Sequence, residues 1–226
     1  MNKIQHTPLG DQVYAIIWDQ IVSHRLSPGD KISDLRLSEE LGVSRTPIRE
    51  ALHRLAQDGI VRTQSRRGFF VTPFSSQDVG EVYDIRAVLE VLAVRLALPR
   101  LADEELDEAQ RVVEESHQQI VRGVEGAEER WLAIDRAFHH MLAQQARNRR
   151  LEALLTSLQT QIGVFQVYGI HSSPLRLLSI EHHRAILAAL KARDGAAAER
   201  AMEHHIQEVK EWVLAEFVSR ELQPLS

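Results

Sequence analysis

The spacing of apolar positions changes character near residue 75. Before that point Leu9, Val13, Ile16, Ile17 and Ile21 recur at helical spacing and predict an amphipathic helix over 9–25, closed by the turn Ser27-Pro28-Gly29-Asp30. A short helix is expected over 34–41. A third opens near Ser44, carries Leu52 and Leu55 toward a core, and stops at Asp58-Gly59. Two brief runs follow, Ile60-Val61-Arg62-Thr63-Gln64 and Phe69-Phe70-Val71-Thr72, joined by Ser65-Arg66-Arg67-Gly68, and they read as a hairpin. From Ser75 onward the pattern is helical throughout. Ser75-Ser76 caps a helix to about Leu98, with Val79, Val82, Tyr83, Ile85, Leu89, Leu92 and Leu96 expected on its buried side. Further helices are expected over 103–123, 127–146, 148–167, 175–193 and 195–219, with breaks at Arg122-Gly123, Asn148, 168–174 and Asp194-Gly195. The expected fold is mainly α: an N-terminal winged helix-turn-helix in residues 1–74 plus a C-terminal antiparallel α-helical bundle in residues 75–226.

The junction between the second and third helices is where chemistry first shows. Gly42 suits a left-handed C-cap, Ser44 suits an N-cap, and Pro47 is tolerated in a first turn because its missing donor has no intrahelical partner. Arg45, Thr46 and Arg49 then share one helical end. From there a guanidinium reaches guanine O6 and N7 in a major groove, while the threonine hydroxyl meets phosphate. A solvated helix start carrying two arginines is the plain alternative. The hairpin tip strengthens the DNA reading, because Gly68 lets backbone lie close to a duplex and Arg66 and Arg67 supply charge beside the minor groove.

Residues 9–73 resemble the DNA-binding domain of the GntR family of bacterial transcription regulators. The likeness runs through Pro28-Gly29, Leu37, Leu41-Gly42-Val43-Ser44-Arg45-Thr46-Pro47-Ile48-Arg49-Glu50-Ala51-Leu52, Leu55, Asp58-Gly59 and Arg67-Gly68-Phe69-Phe70-Val71. It implies DNA contacts at Ser44, Arg45, Thr46, Arg49 and the wing around Gly68. One departure stands out: where many relatives carry an arginine directly after the acidic residue of the second helix, here Asp34 is followed by Leu35, and the arginine is Arg36. One residue is about 100° of helix rotation, which turns Arg36 toward solvent.

Charge is unevenly divided. The chain of 226 residues carries a net charge of −5, but residues 1–74 hold ten Lys+Arg against eight Asp+Glu, leaving seventeen against twenty-four for the rest. Only the head is suited to phosphate. Aromatics are 5% of residues, too few for a single-strand stacking platform. With no cysteine there are no disulfides or thiolate ligands. Neither a signal-peptide pattern at Met1–Pro8 nor a bilayer-length apolar run is present, so a cytoplasmic protein with no membrane partner is expected.

Histidine distinguishes the second half. Eight of the eleven lie beyond residue 75, six of them in the doublets His139-His140, His182-His183 and His204-His205. Helical phase turns His139, His183 and His205 inward and sends His140 and His204 outward; His182 is less clearly excluded from the core. Asp135 and His139 are spaced i, i+4 and project from one face. Asp135, His139, His183 and His205 together suit a divalent metal ion such as Zn²⁺, Ni²⁺ or Mn²⁺. Neutral imidazole is the ligand, so occupancy is expected to fall as pH drops through about 6. Taken singly, each histidine is better read as a core residue satisfied by a hydrogen bond, and it is the convergence of the four that points to a metal.

Residues 80–215 resemble the helical effector domain of the FadR-type branch of that family, through Arg86-Ala87-Val88-Leu89-Glu90, Asp135-x-x-Phe138-His139, Asn148, His183-x-x-Ile186-Leu187, Asp194 and His205-Ile206. The resemblance implies a divalent ion on the aspartate and three histidines, a small carboxylate effector bound over that ion, and a second contact from Arg86. An intrahelical pair of Arg86 with Glu90 is the competing role for that arginine. Two function classes follow. The first is a transcription regulator, by family default a repressor, acting as a homodimer on an inverted repeat of double-stranded operator DNA and controlled by a carboxylate effector or by the metal itself. The second is a metal-dependent hydrolase, which lacks a motif such as His-Glu-x-x-His and leaves the head without a use, so a non-enzyme is expected.

Overall fold

The computed structural model describes residues 8–23, 25–169 and 173–221. Internal packing divides the chain into two units, Met1–Phe74 and Ser75–Ser226. The first unit contains α1 (Leu9–Val22), β1 (Lys31–Ile32), α2 (Asp34–Leu41), α3 (Arg45–Gln57), β2 (Val61–Gln64) and β3 (Gly68–Val71). Val13, Ile17 and Ile21 of α1 are buried with Ile48, Leu52 and Leu55 of α3, whereas Leu9 and Ile16, expected in the same stripe, are 46% and 38% exposed. The α1 stripe is narrower than its apolar composition because it covers little beyond α3. Helix α1 ends at Val22 instead of Arg25.

The hairpin β2–β3 is joined by a strand that periodicity could not reveal. β1 pairs with β3 in the antiparallel order β1-β3-β2, so Lys31, Phe70 and Arg62 stand side by side across the sheet. Two residues are too few to display alternation, and only the partner strand defines them. At the α2–α3 junction Gly42 takes a left-handed conformation at φ 66° and closes α2. Ser33, not Ser44, makes a side-chain cap: its hydroxyl accepts from the Arg36 N–H, while Ser44 sits at the N-cap of α3 without a capping bond. The expected capping role of Ser44 is therefore corrected, and its exposed hydroxyl remains available to another acceptor or donor.

The second unit is all helix: α4 (Ser76–Ala97), α5 (Asp103–Val121), α6 (Ala127–Gln145), α7 (Arg149–Gly169), α8 (Ser173–Lys191) and α9 (Gly195–Glu221). Ser75 and Asp78 form a reciprocal capping box at the start of α4, an arrangement worth about 1 kcal/mol. Asn148 caps α7, its side chain accepting from the Arg150 and Leu151 N–H groups, and Asp194 accepts from the Ala197 N–H at the start of α9. The break expected over 168–174 falls partly on residues 170–172, outside the described residues.

Helix α4 packs along α9 and α6, and α8 packs between α9 and α5. The buried side of α4 differs from expectation. Val79, Tyr83, Arg86, Glu90, Ala93, Val94 and Ala97 face inward, whereas Ile85 is 54% and Val88 71% exposed. Leu89, Leu92 and Leu96 occupy an intermediate position against Ala93, Ala143, Ala146, Leu151 and Leu155. Polar and apolar side chains are spread round this helix, so its composition does not choose a face. A buried ion pair inside it does.

Candidate functional site

In the first unit, α3 presents Arg45, Thr46 and Arg49 at its exposed N-terminal end, because Ile48, Ala51, Leu52 and Leu55 anchor its opposite face in the core. Both guanidinium groups lean on Asp34, the first residue of α2: Arg45 Nη2 lies 2.7 Å and Arg49 Nη1 3.7 Å from Asp34 Oδ2. Donation from Arg45 holds the Asp34 carboxyl below its usual range. One acidic residue thus pre-orients two arginines while leaving most of their donors free for base edges or phosphate. Arg36 faces solvent and pairs with Glu40 at 2.6 Å, as its helical phase requires.

The wing tip is built by two left-handed residues, Arg66 at φ 62° and Gly68 at φ 100°. Only glycine adopts the latter without strain. Arg66, Arg67, Gln64, Arg62, Lys31, Phe70 and Gly29 line one surface hollow on this wing. Lys31 and Arg62 escaped the sequence reading. Arg62 occupies an outward position of β2 and was recoverable from strand alternation, whereas Lys31 is brought there only by pairing of β1 with β3. Replacing Lys31 and Arg62 together by alanine should weaken binding to all duplexes alike and lower the slope of log affinity against log salt by about 2, measured by anisotropy over a salt series.

In the second unit Asp135 and His139 on α6, His183 on α8 and His205 on α9 converge, with one ligand atom from each lying within 4.8 Å of the others. His139 Nε2 is 3.2 Å from His205 Nε2, and Asp135 Oδ1 is 3.3 Å from His183 Nε2 and 4.0 Å from His139 Nε2. Donor atoms about 2.1 Å from a shared ion stand about 3.0–3.4 Å apart at octahedral or tetrahedral angles, and up to about 4.2 Å when opposed. His183 is fully buried between Trp131 and Phe138, yet neither of its ring nitrogens makes a hydrogen bond. Its 3.3 Å approach to Asp135 has hydrogen-bond length without hydrogen-bond alignment. Leaving such groups unpartnered costs about 1–3 kcal/mol each, so the donor set fits a cation better than it fits a self-satisfied core.

The electrostatics agree with that chemistry. Burial drives the His183 imidazole down to about 3, against the pull of Asp135. Burial and the neighbouring His183 and His139 rings likewise hold His205 well below its ordinary value. For Asp135 burial acts upward, but His139, His183, Arg86 and the Ser179 hydroxyl together keep the carboxyl below its usual range. An anionic Asp135 beside neutral His183 and His205 rings is the protonation state that divalent ions require. Loss of ligand character at about pH 6, expected for free imidazole, is therefore moved lower for His183.

A second carboxylate, absent from the expected set, supports the first. Glu90 is fully buried, with Oε1 3.1 Å from His139 Nδ1 and 3.3 Å from Arg86 Nε. Burial raises a lone carboxyl, yet His139 and Arg86 keep Glu90 below its usual value. It stands at the Nδ1 side of His139, at hydrogen-bond length without hydrogen-bond alignment, while Nε2 faces His205, which is the placement of an outer-sphere carboxylate beside a metal-bound imidazole. Arg86 is thereby committed to Glu90 through Nε while its Nη2 remains unpartnered. Arg86 also lines a cavity with Trp131, Asp135, Gln166, Arg176, Ser179 and His205. That cavity measures about 20 Å³, room for an ion or about one water. Tyr83 beside Arg86 is pushed up to about 12 by burial and remains a neutral phenol. The outward histidines are where phase puts them: His140 and His204 are exposed, and His182 is 8% exposed.

No helix among the described residues is long and apolar enough to cross a membrane. Residues 9–71 match the family described as bacterial regulatory proteins, gntR family, and residues 81–208 match the FCD domain. The chain is 31% identical over 199 residues to the HTH-type transcriptional regulator YdhC of Bacillus subtilis, covering 88% of each chain. It is 30% identical over 207 residues to the HTH-type transcriptional repressor RspR of Escherichia coli, covering 91% of this chain and 89% of that one. Among solved structures, Escherichia coli McbR/YncC superposes with a TM-score of 0.75 at 26% identity, over 96% of this chain and 100% of that chain. With a DNA-reading head and a helical domain both matched, the chain belongs to the GntR family of bacterial transcription regulators, in the FadR-type branch that carries an FCD domain.

Proposed function

We propose that this regulator is a repressor whose hold on DNA is controlled by a small carboxylate bound beside a divalent ion in the helical unit. The observation that carries the reading is the fully buried His183 with both nitrogens unpartnered, set among three further ligand atoms and next to an arginine with a spare donor. Asp135, His139, His183 and His205 would hold the ion. When bound, such an ion supplies fixed positive charge that anchors an anion. Arg86 Nη2 donates to the carboxylate while Glu90 retains Nε, and Gln166 and Ser179 add polar contacts from α7 and α8. The cavity is smaller than an organic acid, so entry of the acid displaces lining side chains. Helix α4 carries Arg86 and Glu90 and follows the head directly in the chain, which makes it the element through which a displaced Arg86 acts on DNA binding.

The head would read DNA through Ser44, Arg45, Thr46 and Arg49 in the major groove, with Arg66, Arg67 and Gly68 at the backbone and minor groove. A helix end of this size reads few base pairs, so two copies on an inverted repeat are required for specificity. The exposed Ile85 and Val88 on α4 support the bundle as the pairing module. Repression accords with the relative RspR, an HTH-type transcriptional repressor. A regulator, not an enzyme, is the function this arrangement serves.

The test is operator binding by the metal-loaded protein, on duplexes selected from a random pool, with a panel of small mono- and dicarboxylates. The active acid should raise the melting temperature, by about 2.7 kcal/mol of added stability at a hundredfold excess over its Kd, and should loosen the operator complex. Operator affinity that follows metal concentration with no carboxylate present would replace this reading by direct metal sensing.

A further inference from the structure

Asp34 is the fixed member of its ion pairs with Arg45 and Arg49. It occupies the first turn of α2, where the helix dipole favours a carboxylate, and its side chain is 19% exposed, whereas those of Arg45 and Arg49 are 54% and 53% exposed. Among the described residues Asp34 is the carboxylate that pairs with either arginine. Each guanidinium is therefore tethered to a point that cannot follow it outward. Bases and phosphates place different demands on that tether. Arg45 gives Asp34 a single bond through Nη2, at 2.7 Å, and its remaining donors suffice for a bidentate bond to guanine with the tether intact. Phosphates flank the groove instead of lying ahead of the helix end, so an arginine that swings onto them opens the pair and sets phosphate charge beside an unneutralised carboxylate.

We propose that Asp34 is a selectivity element of the head: it restrains Arg45 and Arg49 from phosphate, and so weakens binding to DNA lacking the operator sequence more than binding to the operator. It acts through the two guanidinium groups, as a positioning residue. The inference rests on the reading of Arg45 and Arg49 as the base-reading pair. Its consequence is that the two arginines add to specific affinity and add little to non-specific affinity, which falls instead to cations such as Arg66 and Arg67 on the wing.

Anisotropy titrations of the full chain over a salt series, on the selected operator and on an unrelated duplex, test the inference. Asp34→Asn keeps the shape of the side chain and removes its charge. It should tighten the unrelated duplex about tenfold and the operator no more than about twofold, and steepen the salt slope on the unrelated duplex by about 2 as both arginines reach phosphate. The Arg45→Ala, Arg49→Ala protein should bind the unrelated duplex as the unaltered chain does, with the same salt slope. In that background Asp34→Asn should tighten the unrelated duplex less than about twofold, there being no arginine to release. An Asp34→Asn protein whose ratio of the two affinities is unaltered, or a double arginine variant that loses affinity and salt slope on the unrelated duplex, overturns the restraint. Should the melting curve show that Asp34→Asn does not fold, the double arginine variant decides alone. Operator binding that survives loss of both arginines removes the base-reading pair and this inference with it, whereas an unaltered ratio in Asp34→Asn removes the restraint and leaves the pair in place.

Discussion

The tightly held equivalent of metal should be lost in the His183→Ala, His205→Ala protein, and response to the carboxylate should vanish with it. Both rings are buried, on separate helices, and their nitrogens converge with Asp135 and His139 on a single point. Removing two of four ligands leaves too few to hold an ion out of water. DNA binding by the head uses other residues and should persist. His140→Ala is the matched control, since that ring is exposed. Inductively coupled plasma analysis of dialysed protein reads the result, and full metal content in the double variant would overturn the ligand set.

The same residues set an acid limit for the metal-free protein. His183 has its folded value depressed to about 3, against about 6.5 for a free imidazole, so the unfolded chain binds the proton more readily than the folded one. Their contribution is intact above about pH 6.5 and is lost as pH falls from there toward 3. His205, lowered in the same direction, adds to this loss. Melting temperature of the apo protein should therefore drop steadily below about pH 6.5, and bound metal, which also requires neutral rings, should shift the drop to lower pH. An apo protein equally stable at pH 4.5 and 7 would contradict the depression.

Operator affinity of the Arg45→Ala, Arg49→Ala protein should fall nearly to that for unrelated duplex. An arginine that reads guanine contributes about 1–3 kcal/mol of discrimination, and loss of either one should relax base preference at one position of each half-site. Asp34 sharpens the expectation, because a guanidinium already held at 2.7 Å needs little further ordering on docking. The readout is anisotropy against the selected operator and against single-position variants of it. Unaltered operator binding in a folded double variant would exclude the N-terminal end of α3 as the reading element. The contrast with Lys31 and Arg62 is one of kind, since phosphate contacts weaken every sequence equally.

Much of this molecule follows from local rules that a linear chain displays. The left-handed Gly42, the stop at Asp58-Gly59, the box of Ser75 with Asp78 and the caps at Asn148 and Asp194 act within a few residues, so element order and the helix boundaries of the bundle were legible within about three residues. Helical phase likewise sufficed to turn His183 and His205 inward and His140 and His204 outward, because amphipathic neighbours surround each doublet. What the chain by itself could not disclose depends on partners distant in sequence. The strand at Lys31 exists only through Phe70 and Phe69, two residues being too short to carry a period. The face of α4 was misjudged in part for a related reason: Val79 and Tyr83 are buried as expected, but Ile85 is exposed, and the charged Arg86 and Glu90 are buried instead. The burial of Glu90 is offset by Arg86 within α4 and by His139 arriving from α6, and only tertiary structure supplies the latter. A buried charge is tolerated where its counter-charges converge, and that convergence is a property of tertiary structure alone.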